Sequence, residues 1–185
     1  MIVMAGCKSI EFIPEKAELS YGDAQYKVCR TLSTQDLRDV CEKLNDYKIV
    51  HPSGCGGMYY CTLLVSSTHG EQIVKPISGD QFRIGPDTAE VKGLMDVLRK
   101  YIMGMEIEFL GTYPLDQYST RSLFCREMLQ RTRGNFGLEP WQYEPETEKL
   151  FDSLLNNLAD FQKWYKANKD KIKWDEKQNK YIVAE

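Results

Sequence analysis

Residues 146–168, ETEKLFDSLLNNLADFQKWYKAN, decide how the chain is read. Leu150, Leu154, Leu158, Phe161 and Tyr165 recur at helical spacing, and Phe151, Leu155 and Trp164 widen the stripe. A stripe that broad at a period of 3.6 belongs to a helix buried against another element. The nearest candidate precedes it: a helix over Ser119–Arg133, ended by the turn Gly134-Asn135-Phe136-Gly137 and the loop Pro140-Trp141-Gln142-Tyr143-Glu144-Pro145. After the long helix, Lys171–Trp174 and Lys180–Val183 alternate on either side of Asp175–Asn179, the pattern of a small hairpin. A lone hairpin is marginal in water, so Trp174 is expected to pack on the long helix.

Working outward, the rest of the chain is more β-like. Met58–Ser66 is the clearest strand, with Tyr59, Cys61, Leu63 and Val65 on its apolar face. Ser67–Gly70 reads as a hairpin turn into Glu71–Ile77, where Pro76 marks an end or an edge. Ser33-Thr34-Gln35-Asp36 starts a helix, a hydroxyl first and an acid three residues on. That helix carries Leu37, Val40, Cys41 and Leu44 on one side and ends near Asn45–Lys48. A further helix is expected from Asp87 or Thr88 to about Met103, with Val91, Leu94, Met95, Leu98 and Ile102 inward and Gly93 inside it. Glu106–Leu110 alternates weakly, as a third strand would, with Glu106 and Glu108 on a solvated face. Ser9–Ile13 reads as a strand closed by Pro14, Glu15–Asp23 as polar and turn-like, and Ala24–Leu32 as extended. The expected fold class is α+β: a small N-terminal antiparallel sheet with packed helices, then a C-terminal helical hairpin and a short β-hairpin. The segments are 1–8, a residual signal; 9–118, the α+β region; and 119–185, the helical region.

Composition narrows function. With 185 residues, 42% hydrophobic and 28% charged, the chain is an ordinary globular length and mix. A net charge of −3 gives no global attraction to nucleic acid or anionic lipid. The basic run Lys163–Lys180 is broken by Asp170, Asp175 and Glu176, as on a solvated face. No stretch reaches the roughly 18 apolar residues of a membrane span.

Two resemblances enter here. Leu129–Gly137, the Pro/Trp/Tyr loop, and Lys163–Lys169 followed by Trp174-Asp175 resemble bacterial HEAT-like helical proteins. Leu138-Glu139-Pro140 departs from the aspartate-proline usual after the glycine. The resemblance implies a helical protein-binding surface and brings no catalytic residues. Separately, Met4-Ala5-Gly6-Cys7 resembles a bacterial lipobox, in which the cysteine is lipidated after cleavage. Met4 stands where leucine is usual, and the charged n-region is missing. The alternative is a first β-strand with an incidental cysteine.

The chemistry-bearing residues are few. His51, Cys55, Cys61 and His69 offer the ligand types of a zinc site, but without the tight Cys-x2-Cys spacing of a zinc knuckle. Unrelated loop and core residues explain them better, and no metal or cofactor is expected. Cys55 within Gly54-Cys55-Gly56-Gly57 is the alternative nucleophile, with His51 or His69 as base. The six cysteines suit disulfides such as Cys55–Cys61 in an exported protein, and free thiols otherwise. Trp141 and Tyr143 are the loop aromatics expected to contact a partner. The reading is a non-enzymatic bacterial protein that binds another protein, as an envelope lipoprotein anchored through Cys7 or as an immunity protein neutralising a toxin. Without lipid at Cys7 it is placed in the cytoplasm. The competing class is a thiol-dependent enzyme built on Cys55.

Overall fold

The computed structural model describes residues 14–22, 26–51, 61–67, 70–115, 122–139 and 147–185. The fold is α+β. In chain order the elements are β1 (Pro14–Gly22), β2 (Lys27–Thr31), α1 (Thr34–Asn45), β3 (Lys48–Ile49), β4 (Cys61–Ser67), β5 (Gly70–Ser78), β6 (Gln81–Ile84), β7 (Asp87–Glu90), α2 (Leu94–Thr112), α3 (Ser122–Asn135), α4 (Thr147–Asn168), a 3-10 turn (Lys169–Lys171), β8 (Ile172–Asp175) and β9 (Lys180–Val183). The chain forms two compact units. One takes the chain up to Ser20 and Arg30–Leu98; the other takes Tyr21–Cys29 and Arg99–Glu185.

The sheet has seven strands in the order β2-β1-β4-β5-β6-β7-β3, and the first unit holds β3 to β7 and most of β1. Its strands follow the period-2 rule of a sheet buried on one face. Cys61, Leu63 and Val65 of β4 are buried while Thr62, Leu64 and Ser66 are half-buried. Ser33 caps α1 as its sequence predicts, accepting from the Asp36 N–H at 3.2 Å, and Val40, Cys41 and Leu44 are buried.

Three local expectations are corrected here. Glu15–Asp23 is not turn-like: most of it lies in β1, where Ala17, Leu19 and Tyr21 are buried at alternate positions beneath polar neighbours. The helix expected from Asp87 begins at Leu94 instead. The turns Gly79-Asp80 and Gly85-Pro86 bracket Gln81–Ile84, so the chain makes β6 and β7 first. Gly93 therefore sits outside the helix, at φ +71° in the turn ahead of it, a conformation that suits glycine. Pro76 does not end its strand, since β5 continues to Ser78. It pairs with Phe82 of β6 beside a register shift between Pro76 and Ser78, and its missing N–H faces the β4 side, where the ladder among the described residues stops at Leu63–Val74.

The second unit is helical. Glu106–Leu110, expected as a strand, is the C-terminal part of α2. Glu-Ile-Glu-Phe alternates locally, but Ile102, Met105, Glu106, Phe109 and Leu110 form one buried helical stripe. Leu154, Leu158 and Phe161 of α4 are buried as the long amphipathic stripe requires. Between α3 and α4, Gly137 at φ +66° ends α3. Its N–H donates to the Gly134 carbonyl and the Leu138 N–H to that of Arg133, the paired bonds of a Schellman cap.

Two glycines of α2 act as notches. A Cβ on Gly111 would fall onto the Tyr165 ring, and one on Gly104 onto the Tyr181 hydroxyl. That hydroxyl donates to the Lys100 carbonyl at 2.9 Å. Gln162 of α4 donates to the Leu110 and Tyr113 carbonyls at 3.1 and 2.8 Å, covering acceptors left open by the end of α2. The expected C-terminal hairpin is present, Ile172 paired with Val183 through Asp175 with Lys180. Trp174, expected against the long helix, makes an edge contact with Tyr181 at 5.2 Å, and β9 lies against α3.

Candidate functional site

Of the residues singled out by sequence, Cys7, Cys55, His69, Trp141 and Tyr143 lie outside the described residues. His51 is exposed just beyond β3. Cys61 faces the core at 1% exposure, as its place on the apolar side of β4 predicts, and burial pushes its thiol up to about 12. Metal binding and nucleophilic attack need the thiolate, and Cys61 is held protonated far above neutral pH. Cys61 is a free thiol, the alternative to the Cys55–Cys61 pairing open to an exported protein. Cys41 is likewise buried and pushed up to about 11. Among the described residues no three His, Cys, Asp or Glu side chains gather as metal ligands, and no helix is long and apolar enough to cross a membrane.

The densest polar constellation surrounds Glu106, which sequence placed on a solvated face. It is 5% exposed. Arg131 donates through Nε to Oε1 at 3.2 Å and through a terminal nitrogen to Oε2 at 2.6 Å. Thr132 donates to Oε1 at 3.3 Å. The Tyr21 hydroxyl lies 3.3 Å from both Oε2 and the Met128 sulfur, and its single proton serves one of them at a time. Both carboxylate oxygens are thus occupied by described donors, so proton abstraction by Glu106 would require breaking this set. The arrangement ties α2, α3 and the end of β1 together within the second unit. Its sequence signal was the helical stripe through Ile102, Met105 and Phe109, which places position 106 inward.

The other feature is the solvent face of the first unit's sheet. Ladder register puts Leu64 opposite Ile73 and Ser66 opposite Glu71. It also puts Lys75 directly opposite Arg83. Ile73 is 49% exposed, although it stands on an interior strand. Lys75 and Arg83 are exposed as well. Like charges facing each other across an antiparallel pair are destabilising, so this pairing is not explained by the stability of the sheet. The result is an apolar pair, Leu64 and Ile73, beside a two-cation pair, on a chain whose net charge is −3.

The chain matches no family model, no curated protein and no solved structure.

Proposed function

We propose that this chain is a non-enzymatic binding protein whose partner is another protein, docked on the solvent face of the first unit's sheet. The observation that supports the reading most is the Lys75–Arg83 pair beside half-exposed Ile73. An apolar centre with a charged margin is the arrangement of protein interfaces. Two facing cations gain most from a partner that brings carboxylates, so the expected partner segment is acidic with an apolar anchor. The most specific form of this function is a bacterial immunity protein that covers an acidic surface of a toxin. In its envelope form, lipid on Cys7 holds the domain at a membrane. The helical hairpin α3–α4 and its Trp141/Tyr143 loop supply a second contact surface, as the HEAT-like resemblance implies.

The test is site-specific photocrosslinking in cells of the source organism, with the crosslinker at position 73 or at exposed position 130. A discrete adduct at 73, lost on Lys75→Glu with Arg83→Glu and absent at 130, is the expected result. Equal or absent labelling at both positions defeats the reading. For the envelope form, the native gene product should take up labelled palmitate and lose the label on Cys7→Ala.

A further inference from the structure

The two-residue strand β3 is the last strand of the sheet. Lys48 pairs with Glu90 and Ile49 with Ala89, and the Val50 N–H donates to the Thr88 carbonyl at 2.9 Å. In an antiparallel ladder successive residues point their N–H and C=O groups to opposite sides. Since Val50 bonds inward to β7, the Ile49 and Tyr47 backbone groups point out of the sheet. They have no ladder partner among the described residues.

The side chains at this edge are also unusual. Ala89 is fully buried on the core face, and Ile49, its direct partner, is 62% exposed. The apolar face of the sheet therefore continues past the last strand into solvent, with Tyr47 40% exposed two residues away. Among the described residues no further strand pairs with this edge, and such an edge with exposed apolar residues is a template for another strand.

We propose that this edge pairs with the β3 edge of a second copy of the chain, joining two sheets about a two-fold axis. This goes beyond the proposed binding function and uses a different surface. Charge selects the occupant. The crevice beside the edge, about 490 Å³, is lined by Glu42, Lys43, Asp46, Lys48, Glu90 and Lys92. In a two-fold interface a patch meets itself. A patch of one sign would repel its own copy, whereas three acids and three lysines can pair acid with lysine.

Register follows from the same reasoning. A two-fold centred on Lys48 would set two ammonium groups face to face. Centred on Ile49, it sets Ile49 against Ile49 of the second copy, exchanging both backbone hydrogen bonds, and sets Lys48 opposite Val50. A short ladder alone buries less than the roughly 1,000 Å² of a stable interface. The dimer is therefore weak and concentration-dependent.

Sedimentation over a hundredfold range of concentration tests this. The wild-type mass should rise from one chain toward two. Ile49→Pro removes the outward N–H while leaving the inward bonds of Lys48 and Val50 in place, and it should hold the mass at one chain with an unchanged circular dichroism spectrum. Should that variant misfold, Ile49→Cys in a background with Cys7, Cys29, Cys55 and Cys125 changed to Ser gives a second readout. Facing Cα atoms of a hydrogen-bonded pair lie about 5.5 Å apart, within disulfide reach. Oxidation should then yield a covalent dimer, and a Thr34→Cys control should not. A wild-type chain that stays single throughout overturns the proposal, even where the edge captures an extended peptide. A dimer that survives Ile49→Pro, with no cross-link formed by the Ile49→Cys variant, overturns it equally.

Discussion

The two units hold themselves together differently. In the first, the core is mainly aliphatic: Leu19, Leu63, Val65, Val74 and Leu94 are essentially fully buried, joined by the ring of Phe82. In the second, rings and polar groups must fit one another. Phe109 meets Tyr21, Tyr26 and Tyr113 with centroids 5.7, 5.6 and 5.1 Å apart, two glycine notches receive tyrosines, and a buried carboxylate of α2 is shared by donors from β1 and α3. Burial of aliphatic surface is non-directional and tolerates swaps of similar volume. Ring contacts and a buried charge depend on position. The first unit should accept changes of shape that the second rejects.

The largest effect expected is from Phe161→Ala in α4, a loss of about 3–5 kcal/mol by denaturant unfolding. A volume-conserving change in the first unit, Leu63→Met, should cost under about 1.5 kcal/mol. Similar costs for Leu63→Met and Phe161→Met would erase the contrast between the units. Next comes Glu106→Ala, which opens a gap and takes away the acceptor of the Thr132 hydroxyl; a loss of about 2–4 kcal/mol is expected. Arg131→Ala should cost clearly less, because that side chain is 60% exposed and its charge is screened. Should the two variants cost the same, the ion pair outweighs the buried hydrogen bonds.

Gly111→Ala sharpens the point about fit. On helix propensity alone it would gain about 1 kcal/mol. With the Tyr165 ring in the way it should lose about 1–3 kcal/mol, seen as a lower denaturation midpoint. A stabilised variant would show that Tyr165 moves aside freely. Lys75→Glu in the first unit should do the reverse, raising stability by about 0.2–1 kcal/mol as a like pair becomes an opposite pair with Arg83. A gain in stability with a loss of the position-73 crosslink would identify the cation pair as kept for binding.

The smallest effect belongs to the hairpin turn. The Gln178 N–H, with further donors from the Gln178 side chain and Lys177, holds the Asp175 carboxyl below its ordinary 3.8. The stabilisation is present above that ordinary value and is lost as pH falls through the lowered one. An NMR titration of Asp175, compared with Asp175→Asn, reads this directly.

Much of the fold was legible in short windows. β4, α1, α4 and the β8–β9 hairpin each carry a complete local signal: an alternation, a hydroxyl cap, a wide stripe, a turn between two alternating runs. Glu106–Leu110 was misread because five residues satisfy a strand pattern as readily as a helix pattern. The stripe that decides the matter begins a full turn earlier, at Ile102. β1 was missed because charged and small residues separate Ala17, Leu19 and Tyr21. The facing of Lys75 and Arg83 could not be read from sequence, since it depends on ladder register beside the irregularity at Pro76. The reactivity of His51, Cys55, Cys61 and His69 says nothing about what the folded chain presents to a partner, and Trp141 and Tyr143, expected as partner contacts, lie outside the described residues.

The chain passes between its two units at Ser20–Tyr21, Cys29–Arg30 and Leu98–Arg99, the last within the continuous helix α2. Neither unit is therefore a cassette that a gene can gain or lose in one piece. Residues 99–185 produced alone would lack the Tyr21 phenol beside Glu106 and the Tyr26 ring beside Phe109. Residues 30–98 produced alone would lack β1 and most of β2, the two strands beyond β4 in the sheet. Recombination within this gene has to carry both units together, and a split version of the protein would need its 14–31 segment restored as a separate peptide before either half could complete its core.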